Sequence, residues 1–205
     1  MTESTEVTDA ERHRARMAHR KTVQDAEVAS KTIEKGLLIV HTGSGKGKST
    51  AAFGLLLRMV GHGRKCAVVQ FIKGAWPTGE RSVFERFGEL VRWYTLGEGF
   101  TWETQDKARD IAACRHAWDR AKALMRESNL ALLVLDELNI ALRYDYLPID
   151  EVLTELRNRR SDLHIVVTGR NARPALIEAA DLVTEMIGLK HHFAAGVKAQ
   201  PGIEF

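Results

Sequence analysis

One stretch constrains this chain more than any other: Thr42-Gly43-Ser44-Gly45-Lys46-Gly47-Lys48-Ser49-Thr50, set between the apolar run Leu37 to Val40 and the helix-forming segment Ala51 to Leu57. Read in order, it is a strand, a glycine-rich turn and a helix. Glycines at 43, 45 and 47 allow positive φ, so that successive backbone N–H groups turn toward one point, and the following helix adds the partial positive charge of its N-terminus. Such a nest binds an anion. Lys48 then supplies a point charge to phosphate oxygens, and the Ser49 hydroxyl stands where phosphate loops place a Mg²⁺ ligand. Thr42 occupies the position where the G-x-x-x-x-G-K-[ST] pattern has glycine. The plainer alternative, a glycine-rich turn that only caps a helix, leaves the preceding strand and the paired Lys48-Ser49 without a purpose.

A phosphate loop needs a strand to deliver it, and the rest of the chain supplies more of them. Apolar runs recur at Leu37 to Val40, Cys66 to Phe71, Val91 to Tyr94, Leu130 to Leu135, His164 to Val167 and Leu182 to Ile187. These runs are nearly continuous rather than alternating, which predicts strands covered on both faces. Their spacing suits right-handed βαβ crossovers. The expected fold is α/β, a doubly wound, mostly parallel sheet with helices on both faces, of the phosphate-loop NTPase (RecA-like) kind. Ligands of such folds lie beyond the carboxyl ends of the strands.

With 205 residues and 44% apolar content, one main domain is expected, spanning residues 31–205. Residues 1–30 are rich in charge and poor in large apolar side chains, and Thr8-Asp9-Ala10-Glu11 has the form of a capping box. They read as a helical or flexible arm. A net charge of +3 calls for neither nucleic acid nor a membrane surface. No apolar run approaches the roughly 18 residues of a membrane span, and the charged start lacks the apolar core of a secretory signal. A cytoplasmic protein is expected, with Cys66 and Cys114 as reduced, buried thiols.

Further candidates fall at the same edge of the sheet. Leu132-Leu133-Val134-Leu135 ends in Asp136-Glu137. Alone this reads equally well as a strand running into a helix cap, but beside a phosphate loop the two carboxylates become the expected Mg²⁺ pair, with Ser49. Phe100 and Trp102 lie in the glycine-flanked loop Thr95 to Gln105, where composition slightly favours core over a flat apolar ligand. Arg170, in Thr168-Gly169-Arg170, either holds a phosphate or ribose or caps a neighbouring helix. Glu80 and Arg81 read as a solvated pair. Pro148 suits the start of an amphipathic helix over Ile149 to Arg159. The tail from Lys190 has no clear period. Its adjacent His191 and His192 are expected to diverge, so no histidine metal site is predicted.

Taken together, Thr42 to Gly54, Val69-Gln70-Phe71-Ile72-Lys73-Gly74, Gly99-Phe100-Thr101-Trp102-Glu103, Val134 to Leu138, Thr168-Gly169-Arg170 and Gly196-Val197-Lys198-Ala199-Gln200 resemble the ATP:corrinoid adenosyltransferases of the CobA/CobO/BtuR type. The resemblance runs from about Lys31 to the C-terminus, in order. Thr42 is the normal residue in that family, and Ser49 stands where many members have Thr. It implies transfer of the 5′-deoxyadenosyl group of ATP to the Co(I) centre of a reduced corrinoid, forming adenosylcobalamin or an adenosylated precursor and releasing triphosphate. It implies Mg²⁺, with Mn²⁺ as an alternative, and a nucleotide held by residues 42 to 50 and Arg170 in a reversed orientation. Phe100 and Trp102 become the wall below the corrin, and with Lys48 the catalytic candidates. It further implies a homodimer with the N-terminal helix over an active site, and a flavoprotein or other reductant for cobalt. A phosphate-loop ATPase or phosphotransferase and a nucleotide-gated corrinoid carrier are the competing readings.

Overall fold

The computed structural model describes residues 8–72, 78–97 and 106–204. The chain divides into two units, residues 1–34 and 35–205.

In the first unit, helix α1 (Asp9–Ala29) starts on the capping box read from the sequence: the Thr8 side chain accepts from the Glu11 N–H, and the Glu11 carboxylate accepts from the Thr8 N–H at 2.8 Å. Ion pairs along its length, such as Lys21 with Asp25 at 2.6 Å, support a helix that buries none of its residues.

The second unit is a six-stranded sheet in the order β3-β2-β4-β5-β1-β6, with every neighbouring pair parallel. The strands are β1 (Leu38–Thr42), β2 (Lys65–Gln70), β3 (Val91–Thr95), β4 (Leu130–Asp136), β5 (His164–Thr168) and β6 (Leu182–Glu185). Each lies where an apolar run predicted it. Period two assigns the side chains to two cores. Ile39, Val68, Val134 and Val166 face helix α2 (Lys48–Gly61) and α3 (Gly79–Phe84), packing on Ala52, Phe53, Leu56 and Phe84. Their neighbours Val40, Val69, Leu135 and Val167 face the opposite way. There they meet α4 (Lys107–Met125), α5 (Leu138–Arg143), α6 (Ile149–Arg157) and α7 (Pro174–Ala179) through Trp118, Leu138, Leu156 and Leu176. Both faces are therefore covered over the central strands, as continuous apolar runs require.

The edge differs from expectation. Where a strand buried on both faces was expected over Leu182 to Ile187, β6 has only four residues, all exposed, and Ile187 lies beyond it. An edge strand has one neighbour, here β1, and the helices that cover the sheet centre on the inner strands. Cys66 and Cys114 are buried free thiols, and burial pushes each up to about 12. No described helix is long and apolar enough to cross a membrane.

Candidate active site

Strand β1 delivers the phosphate loop, and the chain after β6 braces it. The Thr42 carbonyl accepts from the Met186 N–H at 2.9 Å, and the Gly45 N–H donates to the Met186 carbonyl at 2.6 Å. The approach is so close that a Cβ on Gly43 would stand 2.4 Å from the Met186 oxygen, and the Gly43 φ of 95° excludes most side chains in any case. Across the sheet, the Thr42 hydroxyl accepts from the Ala172 N–H at 3.0 Å and so ties the loop after β5 to the loop after β1. Gly47, also left-handed at φ 103°, opens α2 without a side-chain cap, which leaves the first amides of the helix for a ligand.

Lys48 is the first residue of α2 and is buried. Its ammonium donates to the Gly43 carbonyl at 3.0 Å and to the Gly45 carbonyl, so it lies curled along its own loop. Burial lowers its proton affinity, Glu137 acts in the opposite sense, and Arg170 and Lys46 lower it further. Arg170 is exposed, and its charge is felt at Lys48. Ser44, Lys46 and Thr50 are exposed around the loop.

Below the loop, a row of polar residues crosses the carboxyl ends of all six strands. Gln70 is in register with Thr95 on one side and Asp136 on the other, and His41 is in register with Thr168 and Thr184. Asp136 is fully buried at the centre of this row. Its Oδ1 accepts from the Ser49 hydroxyl at 2.7 Å and the Thr168 hydroxyl at 2.8 Å, and its Oδ2 accepts from the Gln70 amide at 2.9 Å. The Gln70 carbonyl oxygen in turn accepts from the Trp93 indole N–H at 2.9 Å and the Thr95 hydroxyl at 3.0 Å. A buried carboxylate is tolerated only when so satisfied. Ser49 and Asp136, distant in sequence, are thus in direct contact.

Glu137 holds a left-handed conformation (φ 62°) at the N-cap position of α5, yet its side chain makes no cap hydrogen bond. The plain capping reading therefore fails for Glu137. Its N–H donates to the Thr168 hydroxyl at 3.0 Å, and a Cβ on Gly169 would stand 3.0 Å from its Oε2, so the carboxylate lies against the loop that carries Arg170. Ser49, Asp136 and Glu137 form a hard-oxygen donor set beside an anion nest. That chemistry fits Mg²⁺, which takes one or two carboxylates and keeps several waters.

Comparison with known proteins decides the family. The profile described as ATP:corrinoid adenosyltransferase BtuR/CobO/CobP matches residues 34–205, and that of the cob(I)alamin adenosyltransferase N terminal matches residues 1–28. The chain belongs to the ATP:corrinoid adenosyltransferase family. It is 55% identical to a corrinoid adenosyltransferase of Sinorhizobium sp over 96% of this chain and 93% of the relative. To that of Pseudomonas aeruginosa it is 54% identical over 95% and 96%, and to that of Escherichia coli K12 47% identical over 95% and 98%.

Against this family frame, several residues of the site were absent from the sequence-based candidates. Gln70, Thr168 and Asn139 are buried and polar; the Asn139 amide donates to the Gly169 carbonyl at 2.9 Å and holds the Arg170 loop in place. A signal existed for the first two: each ends an otherwise apolar strand, as Asp136 does. Phe100 and Trp102 lie outside the described residues. Arg81 pairs with Glu85 at 2.7 Å rather than with Glu80.

The two histidines correct an expectation. His191 and His192 do not diverge but stack, with centroids 4.7 Å apart and planes at 23°, and with Glu204 they offer ligand atoms within 4.8 Å of one another. The arrangement is poorly shaped for an ion. Nearly parallel rings send their in-plane lone pairs side by side rather than to one point, and the His191 Nδ1 already accepts from the Phe193 N–H at 3.1 Å.

Proposed function

We propose that this protein transfers the 5′-deoxyadenosyl group of ATP to the Co(I) centre of a reduced corrinoid, giving adenosylcobalamin or an adenosylated precursor and triphosphate. The observation that carries the reading is the contact of Ser49, at the mouth of the phosphate loop, with Asp136 at the end of β4, in a chain of this family.

The chemistry asks little of the protein beyond placement and charge. The cobalt electron pair forms the Co–C5′ bond while the C5′–O bond breaks, and its electrons leave on the triphosphate. No proton moves, so no general base or protein nucleophile is required; the cations, amides and hydroxyls of the site serve placement and charge. Residues 42 to 50 hold the triphosphate: the uncapped amides at the N-terminus of α2 face it, while the Gly45 N–H is spent on the Met186 carbonyl, with Lys48 as the central cation and Arg170 as a second. Lys48 now donates to carbonyls of its own loop, and an incoming phosphate oxygen replaces them as the stronger, charged acceptor. Lys48 then stabilises charge on the leaving group. Bound Mg²⁺, or Mn²⁺, would be held by Ser49, Asp136 and Glu137 and would neutralise phosphate charge; Asp136, with its oxygens already engaged, suits a water-mediated contact.

Phe100 and Trp102 are assigned to the lower face of the corrin, where they exclude the axial base. The protein acts as a homodimer, a reading supported by the apolar residues Leu182, Val183, Ile187 and Leu189 exposed along and beyond β6. A flavoprotein or another reductant supplies Co(I).

The test is product analysis with ATP, Mg²⁺ and a chemically reduced corrinoid. Expected products are an alkylated corrinoid and triphosphate in equal amounts. Lys48→Ala should lower turnover by roughly 10²- to 10³-fold, the usual effect of losing one preorganised charge-stabilising donor, with folding little changed. ADP and phosphate as products, or no nucleotide consumption at all, would overturn the assignment.

A further inference from the structure

The end of the chain folds back onto the phosphate loop. After the short 3₁₀ segment His192–Ala195 and a left-handed Gly196, a turn in which the Ile203 and Glu204 N–H groups both donate to the Gln200 carbonyl, at 3.1 and 3.0 Å, delivers Glu204 to Lys46. The two are 158 residues apart, and their side chains form an ion pair. His192 Nε2 stands 3.2 Å from the other oxygen of the same carboxylate. The Glu204 side chain is only 16% exposed against 50% for Lys46, so the acid is pressed inward at the loop while the cation reaches it from the solvent side.

This placement is at odds with the loop's purpose. Backbone amides, Lys48, Arg170 and a helix N-terminus together set a potential for a polyanion, and a protein carboxylate held beside them occupies Lys46 and repels any phosphate that approaches it. Among the described residues, the large apolar side chains of the tail are exposed. Phe193 and Ile203 are 71% and 75% exposed, and an open cavity of about 320 Å³ is lined by Gly202 and Ile203 on one side and Gly79, Val83 and Phe84 of α3 on the other. The ion pair with Lys46 ties the end to the loop, and it is a tie that a stronger anion can undo.

We propose that Glu204 is an internal competitor for the nucleotide. In the empty enzyme it neutralises Lys46, and on binding the triphosphate group takes Lys46 and releases the C-terminal turn, so that the tail reports whether the phosphate loop is filled. The proposal rests on the phosphate-site reading given above and adds a residue that weakens binding by design.

Titration calorimetry with inorganic triphosphate tests it without a corrinoid. Glu204→Gln should bind triphosphate roughly two- to fivefold more tightly than wild type at low ionic strength, the size expected of a half-exposed ion pair. The gain should shrink as salt rises. In a Lys46→Ala background the same substitution should make no difference. Hydrogen exchange gives a second reading: amides of residues 198–204 should exchange faster once triphosphate is added to wild type, and should already be fast in Glu204→Gln. Equal or weaker binding by Glu204→Gln, or slower tail exchange with triphosphate, overturns the competitor role alone. Failure of wild type to bind triphosphate overturns the phosphate site and the competitor together.

Discussion

His41 sits one position before Thr42, buried under the phosphate loop, and neither ring nitrogen has a hydrogen-bond partner among the described residues. Burial lowers its proton affinity, so the folded protein holds it neutral. The sign of the pH effect follows. As pH falls through the unfolded-state value of 6.5, the unfolded chain takes up a proton that the folded chain refuses, and stability declines toward the folded-state value and then levels off. His164, lowered by burial and by Arg159 and Arg64, acts in the same window. We expect the urea midpoint to drop as pH falls through the ordinary imidazole range, and His41→Leu to lose measurably less because only the His164 share remains. An identical pH slope in the variant would mean that His41 titrates normally. At this scale the strand, glycine turn and helix of the loop were legible, since glycine acts through its own backbone. Gln70 and Thr168 carried a partial signal as the polar ends of apolar strands, but their meeting at Asp136 depends on which strands lie either side of β4, a property of topology that no local pattern carries.

Among the elements, strands were the most legible. Each apolar run is bounded by polar or glycine-containing segments, and β4, with seven buried residues between Asn129 and Glu137, leaves no other reading. The exposure of β6 was not foreseeable from its own residues: Leu182-Val183-Thr184-Glu185 looks like a core strand, and only its place at the end of the sheet order leaves it uncovered. The contact of Lys46 with Glu204 was hidden for the same reason, being a meeting of two chain segments without local precedent. The loop from Thr95 to Gln105 carries the element-scale prediction. A wall that excludes the axial base matters for making Co(I) from Co(II) and much less once four-coordinate Co(I) is supplied. Phe100→Ala and Trp102→Ala should therefore depress the reaction started from Co(II) far more than the one started from Co(I), with thermal stability retained. Core residues would behave otherwise: an aromatic-to-alanine change in a packed interior costs about 3 to 5 kcal/mol and would lower both activities along with the melting temperature. Parallel losses with a lowered melting temperature would return both residues to the core.

For the molecule as a whole, the proposed homodimer makes a prediction about the exposed edge. Light scattering behind size exclusion should give twice the chain mass, and Ile187→Glu, introducing charge at a position 69% exposed, should shift the protein toward the monomer without lowering its melting temperature by more than a few degrees. A variant that stays dimeric at micromolar concentration would place the interface elsewhere.

The bracing of the phosphate loop by Met186 has a consequence of its own. Gly45 is hydrogen-bonded to the backbone just beyond the shortest strand of the sheet, the one with the least buried surface. Strands at the end of a sheet open locally long before the central ones do, and such openings leave global unfolding untouched. The anchor of the nucleotide site is thus fastened to the softest part of the fold. Changes along β6 will be felt as altered grip on phosphate while the melting curve stays where it was, and whatever covers that edge will tighten nucleotide binding from outside the site.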